Sequence, residues 1–298
     1  MRMVLAAALV LGACAAGLAQ APAFRARLDL VQVTVSVTDA AGRLVTGLEK
    51  DDFQVWEDGV EQAVTQFTDE RVPVSLGVLL DASDSMRGQP IVDATDALDR
   101  FVGDLLFPDD EVFLATFNHL PRLVARWKRP PRALANVLDG LQPTGGTAIY
   151  DSLAQTSALF DRRDNLRAAF VVISDGADTA SDLTLHQTLD VVRRSDAFVY
   201  AIAIDSVDAR ASTRVNPEAL RDITSMTGGY TEIVHSAADL GPATARIADE
   251  LNKQYTLGFS SSHPPDGSWR TLRVRVRRPE HFVRARRGYY ADPSSPDR

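Results

Sequence analysis

The sequence predicts an α/β protein, a doubly wound and mostly parallel sheet of Rossmann-like type, carried between two β segments that pair into a small β-sandwich. Three observations predict it. Across residues 73–252, apolar runs of strand length alternate with longer stretches of helical period. The runs are continuous in their apolar character, as expected of a parallel sheet covered on both faces. In the flanks, residues 22–72 and 253–298, the two-residue period of half-buried strands takes over and helical periodicity is missing.

The first 21 residues differ in kind from the rest. Met1 and Arg2 precede an apolar stretch and then small residues, the pattern of a bacterial export signal. Two processing routes stay open: cleavage after Ala19, or lipidation of Cys14, where Leu11-Gly12-Ala13-Cys14 is similar to the lipobox of bacterial lipoproteins. The expected mature chain is exported, secreted or periplasmic, with no transmembrane segment, and is held to the envelope if Cys14 carries lipid.

In residues 28–38, Val31, Val33, Val35 and Val37 alternate with polar residues as in a strand, and residues 39–42 read as a turn. Residues 53–57 and 60–67 are two further strands joined at Asp58-Gly59, a dipeptide that favours a tight hairpin. The α/β strands are expected at 74–80, 112–117, 170–174 and 198–204, with a weaker one at 230–234. Ile91, Thr95, Leu98, Phe101, Val102 and Leu105 form one face of the first helix, with Pro90 in its opening turn. A second helix starts near Tyr150; another is capped by Asn216, opens at Pro217 and stops at Gly228-Gly229. Strands return at 255–259, 272–276 and 282–290. Each flank is too short to bury a convincing core alone, so the two are expected to pair.

Composition narrows the function classes. The 298 residues hold 32 Lys and Arg against 40 Asp and Glu, a net charge of -8, with 45% hydrophobic residues and one cysteine. That excludes a disordered, collagen-like or disulfide-stapled chain, and the acidic balance speaks against a general nucleic-acid binder. A local exception is the eight arginines Arg270, Arg273, Arg275, Arg277, Arg278, Arg284, Arg286 and Arg287, which face Glu280 alone. They read as the solvated face of strands, or alternatively as a surface for an anionic polymer or lipid.

In a doubly wound sheet, ligands bind where loops leave the carboxyl ends of strands. The first α/β strand ends in Asp81-Ala82-Ser83-Asp84-Ser85, a D-x-S-x-S loop. Thr144-Gly145-Gly146-Thr147 and Asp175-Gly176 occupy comparable places. Hydroxyls and carboxylates without histidine or cysteine form an all-oxygen set for a hard divalent cation, Mg2+ first, with Mn2+ or Ca2+ as alternatives. A cation so held keeps a position open to an outside carboxylate. Asp84 is expected to face solvent, and Asp178 to be a surface-loop carboxylate rather than part of a second cation site.

This set of loops resembles the von Willebrand factor type A domain and its metal-ion-dependent adhesion site, over residues 74–252. By position, the resemblance makes Ser83, Ser85 and Thr147 hydroxyl ligands, and Asp81 and Asp175 carboxylates acting directly or through water. Val45-Thr46-Gly47-Leu48, Trp56-Glu57-Asp58-Gly59, Tyr255-Thr256-Leu257-Gly258 and Arg286-Arg287-Gly288-Tyr289-Tyr290 are similar to segments of secreted bacterial proteins of the acidobacterial type of that family. The expected function is non-enzymatic: recognition of an Asp or Glu of a protein partner through the cation. A metal-dependent phosphoesterase is the alternative, but the second aspartate of a haloacid-dehalogenase-like site would fall at Ser83. The sequence also has no G-x-S-x-G, H-E-x-x-H or P-loop pattern, and its five histidines, His119, His186, His235, His263 and His281, lack metal-ligand spacing and read as surface or ordinary packing residues.

Overall fold

The computed structural model describes residues 30–128, 138, 140–175, 177–205 and 217–292; the expected export signal with Cys14 and the expected cap at Asn216 lie outside the described residues. Continuous apolar runs become the central sheet: β5 (Val74–Asp81), β6 (Glu111–Phe117), β8 (Arg167–Ser174), β9 (Phe198–Ile204) and β10 (Thr231–Val234), all parallel, with β7 (Pro121–Lys128) antiparallel at one edge. The order is β10-β9-β8-β5-β6-β7, with β5 buried along its whole length. Even-numbered residues of β5, such as Leu76 and Val78, pack on α1 (Gln89–Arg100) and α5 (Ala237–Asn252). Leu79 faces the other way, into the cluster formed with α2 (Ile149–Ser157), α3 (Leu185–Arg194) and α4 (Pro217–Thr227). Helices thus cover both faces, which is why these strands carry no polar alternation.

The flanks pair as expected. One sheet runs β13 (Phe282–Ala285), β1 (Leu30–Thr38), β11 (Tyr255–Ser260), β4 (Val64–Thr68); the other runs β14 (Gly288–Tyr290), β12 (Trp269–Val276), β2 (Phe53–Glu57), β3 (Val60–Gln62). Each sheet mixes strands from both ends of the chain, and Val33, Val35, Phe53, Val55, Leu257 and Phe259 share one core between them. The hairpin at Asp58-Gly59 takes positive φ at both residues, 47° and 84°, the conformation of a type I′ turn.

Three expectations need correction. The run at 60–67 is two strands in different sheets, broken at Ala63, and 282–290 divides likewise around Arg286 and Arg287. A sandwich needs corners where the chain changes sheets, and each short strand satisfies only one sheet's ladder. The helix expected to run through Leu105 leaves α geometry at Phe101 and continues as a π-helical turn, Phe101–Leu105, that keeps Phe101 and Val102 fully buried. Strand β7 was not expected: its irregular register hides the two-residue period, and its apolar anchor is Trp127, edge-on to Phe113 at 4.7 Å.

A buried polar node joins the sandwich to the α/β layer. Glu250 of α5 accepts hydrogen bonds from Ser36 of β1 (2.9 Å) and Tyr200 of β9 (3.2 Å), and pairs with Arg284 of β13. Gln254 donates to the Ser36 and Tyr200 hydroxyl oxygens, 3.1 Å each, and accepts from Arg167. Burial pushes the Glu250 carboxyl up, and Arg284 opposes that shift. Removing Arg284 leaves a buried carboxylate without its cation, so Arg284→Ala is expected to cost about 3 kcal/mol in urea denaturation. Arg284→Ala with Glu250→Ala should cost clearly less than the sum of the two single changes, because the second removes the charge stranded by the first.

Candidate functional site

The connection order reverses at β5. The chain goes from β5 to β6 on one side and returns to β8 on the other, so the carboxyl ends of β5 and β8 flank a crevice. Their parallel register pairs Leu80 with Ile173, bringing the loops that begin at Asp81 and Asp175 side by side.

In the first loop, Asp81 is fully buried at the strand end and accepts a hydrogen bond from its neighbour, Ser83 N (2.8 Å), with a second from the Ser174 hydroxyl. These two bonds fix the carboxylate behind Ser83. Ser83, buried, lies 3.1 Å from the exposed Ser85 oxygen to oxygen, and the Ser85 hydroxyl donates to Asp175 Oδ1 at 2.7 Å. Three oxygens from two loops therefore touch at the crevice, and Ser85 faces solvent.

The loop of Thr147 docks against the same place through its backbone: Thr144 N donates to Ala82 O (2.8 Å) and Asp84 N donates to Gly145 O (2.9 Å). Thr147 is buried, its amide donating to Thr179 Oγ1 (3.0 Å) and its carbonyl accepting from Thr179 and Ala180. Among the described residues no hydrogen bond ties Thr147 to the other four, so its loop approaches them without joining their contact.

The electrostatics are uneven. Burial, opposed by the bonds from Ser174 and Ser83, pushes the Asp81 carboxyl from an ordinary 3.8 up to about 6. Asp175 is also raised, mainly by burial, against its bond from Ser85. Every hydrogen bond to either side chain comes from a neutral group. Among the described residues no three His, Cys, Asp or Glu side chains gather at a point, so a cation here would rest on two carboxylates with hydroxyls. That set suits a hard ion. Adjacent ligand oxygens of an octahedral Mg2+ lie about 3 Å apart, and the contacts among Ser83, Ser85 and Asp175 have that length.

Asp84 is exposed and paired with Arg87 at 2.7 Å, which agrees with the solvent-facing expectation. Asp178 accepts from Tyr150 N (3.0 Å) and from Ser181, so it serves the start of α2 and its own loop. The N-cap of α2, Ala148, makes no side-chain cap bond; Asp178 and Ser181, on a loop about 30 residues downstream, serve Tyr150 N and Asp151 N instead. Asp151 answers by accepting from Asp182 N and Leu183 N.

Two contributors were not singled out in the sequence. Ser174 reads there as the last residue of a strand, and only the approach of β5 reveals its bond to Asp81. His119 reads as a surface or ordinary packing residue. Its Nδ1 accepts from Gly146 N at 3.1 Å, and its ring covers Gly145, whose φ of +80° is one that L side chains avoid. A Cβ at Gly145 would fall 1.9 Å from His119 Cε1. Gly145→Ala is expected to lower the melting temperature through strain of about 1–2 kcal/mol plus this clash. In a His119→Ala background the same change should cost less, since only the backbone strain is left.

Residues 76–177 match the family model of the von Willebrand factor type A domain. An uncharacterised protein of Synechocystis is 34% identical over 87 residues, 28% of this chain and 20% of that protein. Porcine inter-alpha-trypsin inhibitor heavy chain H2 is 25% identical over 136 residues, 42% of this chain and 14% of the heavy chain. The matches thus span small parts of these relatives. A solved von Willebrand factor type A structure from Catenulispora acidiphila superposes with a TM-score of 0.55 at 16% identity, covering 90% of this chain and 65% of that one. An aerotolerance-related membrane protein of Bacteroides fragilis superposes with a TM-score of 0.51 at 20% identity, covering 60% of this chain and 99% of the other. At such identities the likeness is one of fold. The family match and the sheet order observed here agree that residues 76–177, about a third of the chain and the centre of its α/β layer, are similar to a von Willebrand factor type A domain.

Proposed function

We propose that the protein is an exported, non-enzymatic recognition module that binds an Asp or Glu side chain of a protein partner through a divalent cation, Mg2+ first. The observation that carries this reading is the contact of Ser83, Ser85 and Asp175 oxygens at the mouth of the crevice, with Asp81 locked behind them. Domains of this family commonly mediate protein–protein adhesion, which favours a partner over a small substrate.

Asp81, Ser83, Ser85, Thr147 and Asp175 would hold the ion, and the ion would supply a positive centre with affinity for an outside carboxylate. The chain's own residues do the positioning. Asp81 orients Ser83 through its amide, Ser85 bridges toward Asp175, and His119 with Gly145 shapes the loop of Thr147. Exposure of Ser85 keeps the approach open from solvent. A single bridged carboxylate with a modest surrounding patch gives roughly micromolar to millimolar affinity, so several contacts made together would matter. Export rests on the N-terminal signal pattern, and among the described residues no helix is long and apolar enough to cross a membrane.

The pH dependence follows from Asp81. Its carboxyl, raised to about 6 in the fold, favours the neutral form, a stabilisation complete below pH 4 and lost as pH rises through 6. A cation binds the ionised form, so its contribution grows over the same interval. Thermal stabilisation by Mg2+ is expected to be small at pH 5 and to approach about 2.7 kcal/mol at pH 7.5 with Mg2+ at a hundred times its Kd. Asp81→Ala should abolish that increment in a melting experiment. In pull-downs from envelope and secreted fractions, partners should be lost both with chelator and with Asp81→Ala; partners kept in both would remove the cation bridge.

A further inference from the structure

The eight C-terminal arginines do not act as one stripe. Arg270 is engaged by Asp58 and Asp266, Arg284 by Glu250, Arg286 by Asp196, and Arg278 lies 3.8 Å from Asp52. Arg273, Arg275, Arg277 and Arg287 differ: all four are exposed and among the described residues none has an ion-pair partner, and the first three lie together on β12 and at its end. Arg277 Nε donates to the Asp51 carbonyl at 2.9 Å, which holds the guanidinium without neutralising it.

Arg273, Arg275 and Arg277 follow one another at alternate positions along β12 and just beyond its end, while Leu272 before them is buried and Val274 and Val276 between them pack on the sandwich core. Alternate residues of a strand leave the same face with backbone positions about 6.6 Å apart, so the three side chains start from one line about 13 Å long. The row is held in place. Trp56 pairs directly with Arg273 in the register of β2 and β12, and the Arg273 and Arg275 guanidinium carbons sit 4.7 and 5.7 Å from the indole centroid. Stacking on an indole restrains two long side chains before any ligand arrives, which lowers the ordering cost of binding. Glu61, opposite Trp56 on β3, is held by Gln54 on the far side of Trp56 from the arginines.

Exposed arginines without ion pairs, spread along one strand and its end on a protein of net charge -8, favour a linear polyanion over a globular acidic partner. We propose that this sheet face binds an acidic polysaccharide, with Arg273, Arg275 and Arg277 along its charged groups and Trp56 holding the first two guanidiniums in place. The indole is already covered by guanidinium groups, so it offers no open face on which a nucleobase could stack, and the surface is left to recognise charge. The site is separate from the cation crevice and does not depend on it.

The test uses the full mature chain with heparin and polygalacturonate as probes in titration calorimetry at several salt concentrations. Binding is expected that weakens steeply with salt, unchanged by chelator or by Asp81→Ala. Arg273→Gln with Arg275→Gln should weaken it at least tenfold and flatten the plot of log affinity against log salt by about two units. Arg270→Gln, whose native guanidinium is already engaged, should leave binding within twofold, and melting curves of all variants establish that they fold. Equal binding by the double variant, an equal loss in Arg270→Gln, or abolition by chelator would overturn the proposal. So would binding confined to phosphatidylglycerol vesicles or to a single-stranded oligonucleotide.

Discussion

The parallel pairing of β5 with β8 is the constraint on which the crevice depends. Asp81 and Asp175 are more than ninety positions apart, and no local structure could bring them together. The ladder that sets Leu80 beside Ile173 does so as a consequence of packing two apolar strands at the centre of the sheet. Because connections on either side of β5 run in opposite directions, no crossover covers this point. The fold's most buried strand therefore ends at an opening where polar groups meet solvent.

Acidic groups at this end of the sheet are treated in two ways. Asp178 and Asp151 are satisfied by backbone amides, exchanging bonds between the start of α2 and the loop that follows β8. They hold the scaffold. Asp81 and Asp175 are buried against a few neutral donors, so their ionised forms are under-compensated and their carboxyls shift upward. The same residue type thus serves as a fastener where amides converge and as a centre of unsatisfied charge where they do not, a difference on which the cation-binding proposal draws.

At the opposite end of α5, the node around Glu250 connects that helix to both β1 and β9 and makes the sandwich more than an appendage. Its arginine comes from β13, so a C-terminal strand completes a bond begun by the α/β layer. Arginines alike in sequence therefore have different fates. Those whose strand neighbours point at an acid are consumed by packing, and those facing outward along β12 keep their charge.

The sequence alone determined much of this protein. Continuous apolar runs marked the parallel strands, Asp58-Gly59 marked its hairpin, and the D-x-S-x-S loop after residues 78–80 marked where polar chemistry leaves the sheet. These are local signals: periodicity, turn conformation and the identity of residues at a strand end all act within a few positions. The breaks at Ala63 and around Arg286, the edge strand β7, the bond from Ser174 to Asp81 and the cover of His119 over Gly145 were decided by tertiary structure. Each depends on a partner far away in the chain, and a residue's own side chain carries no mark of which distant backbone will come to lie against it.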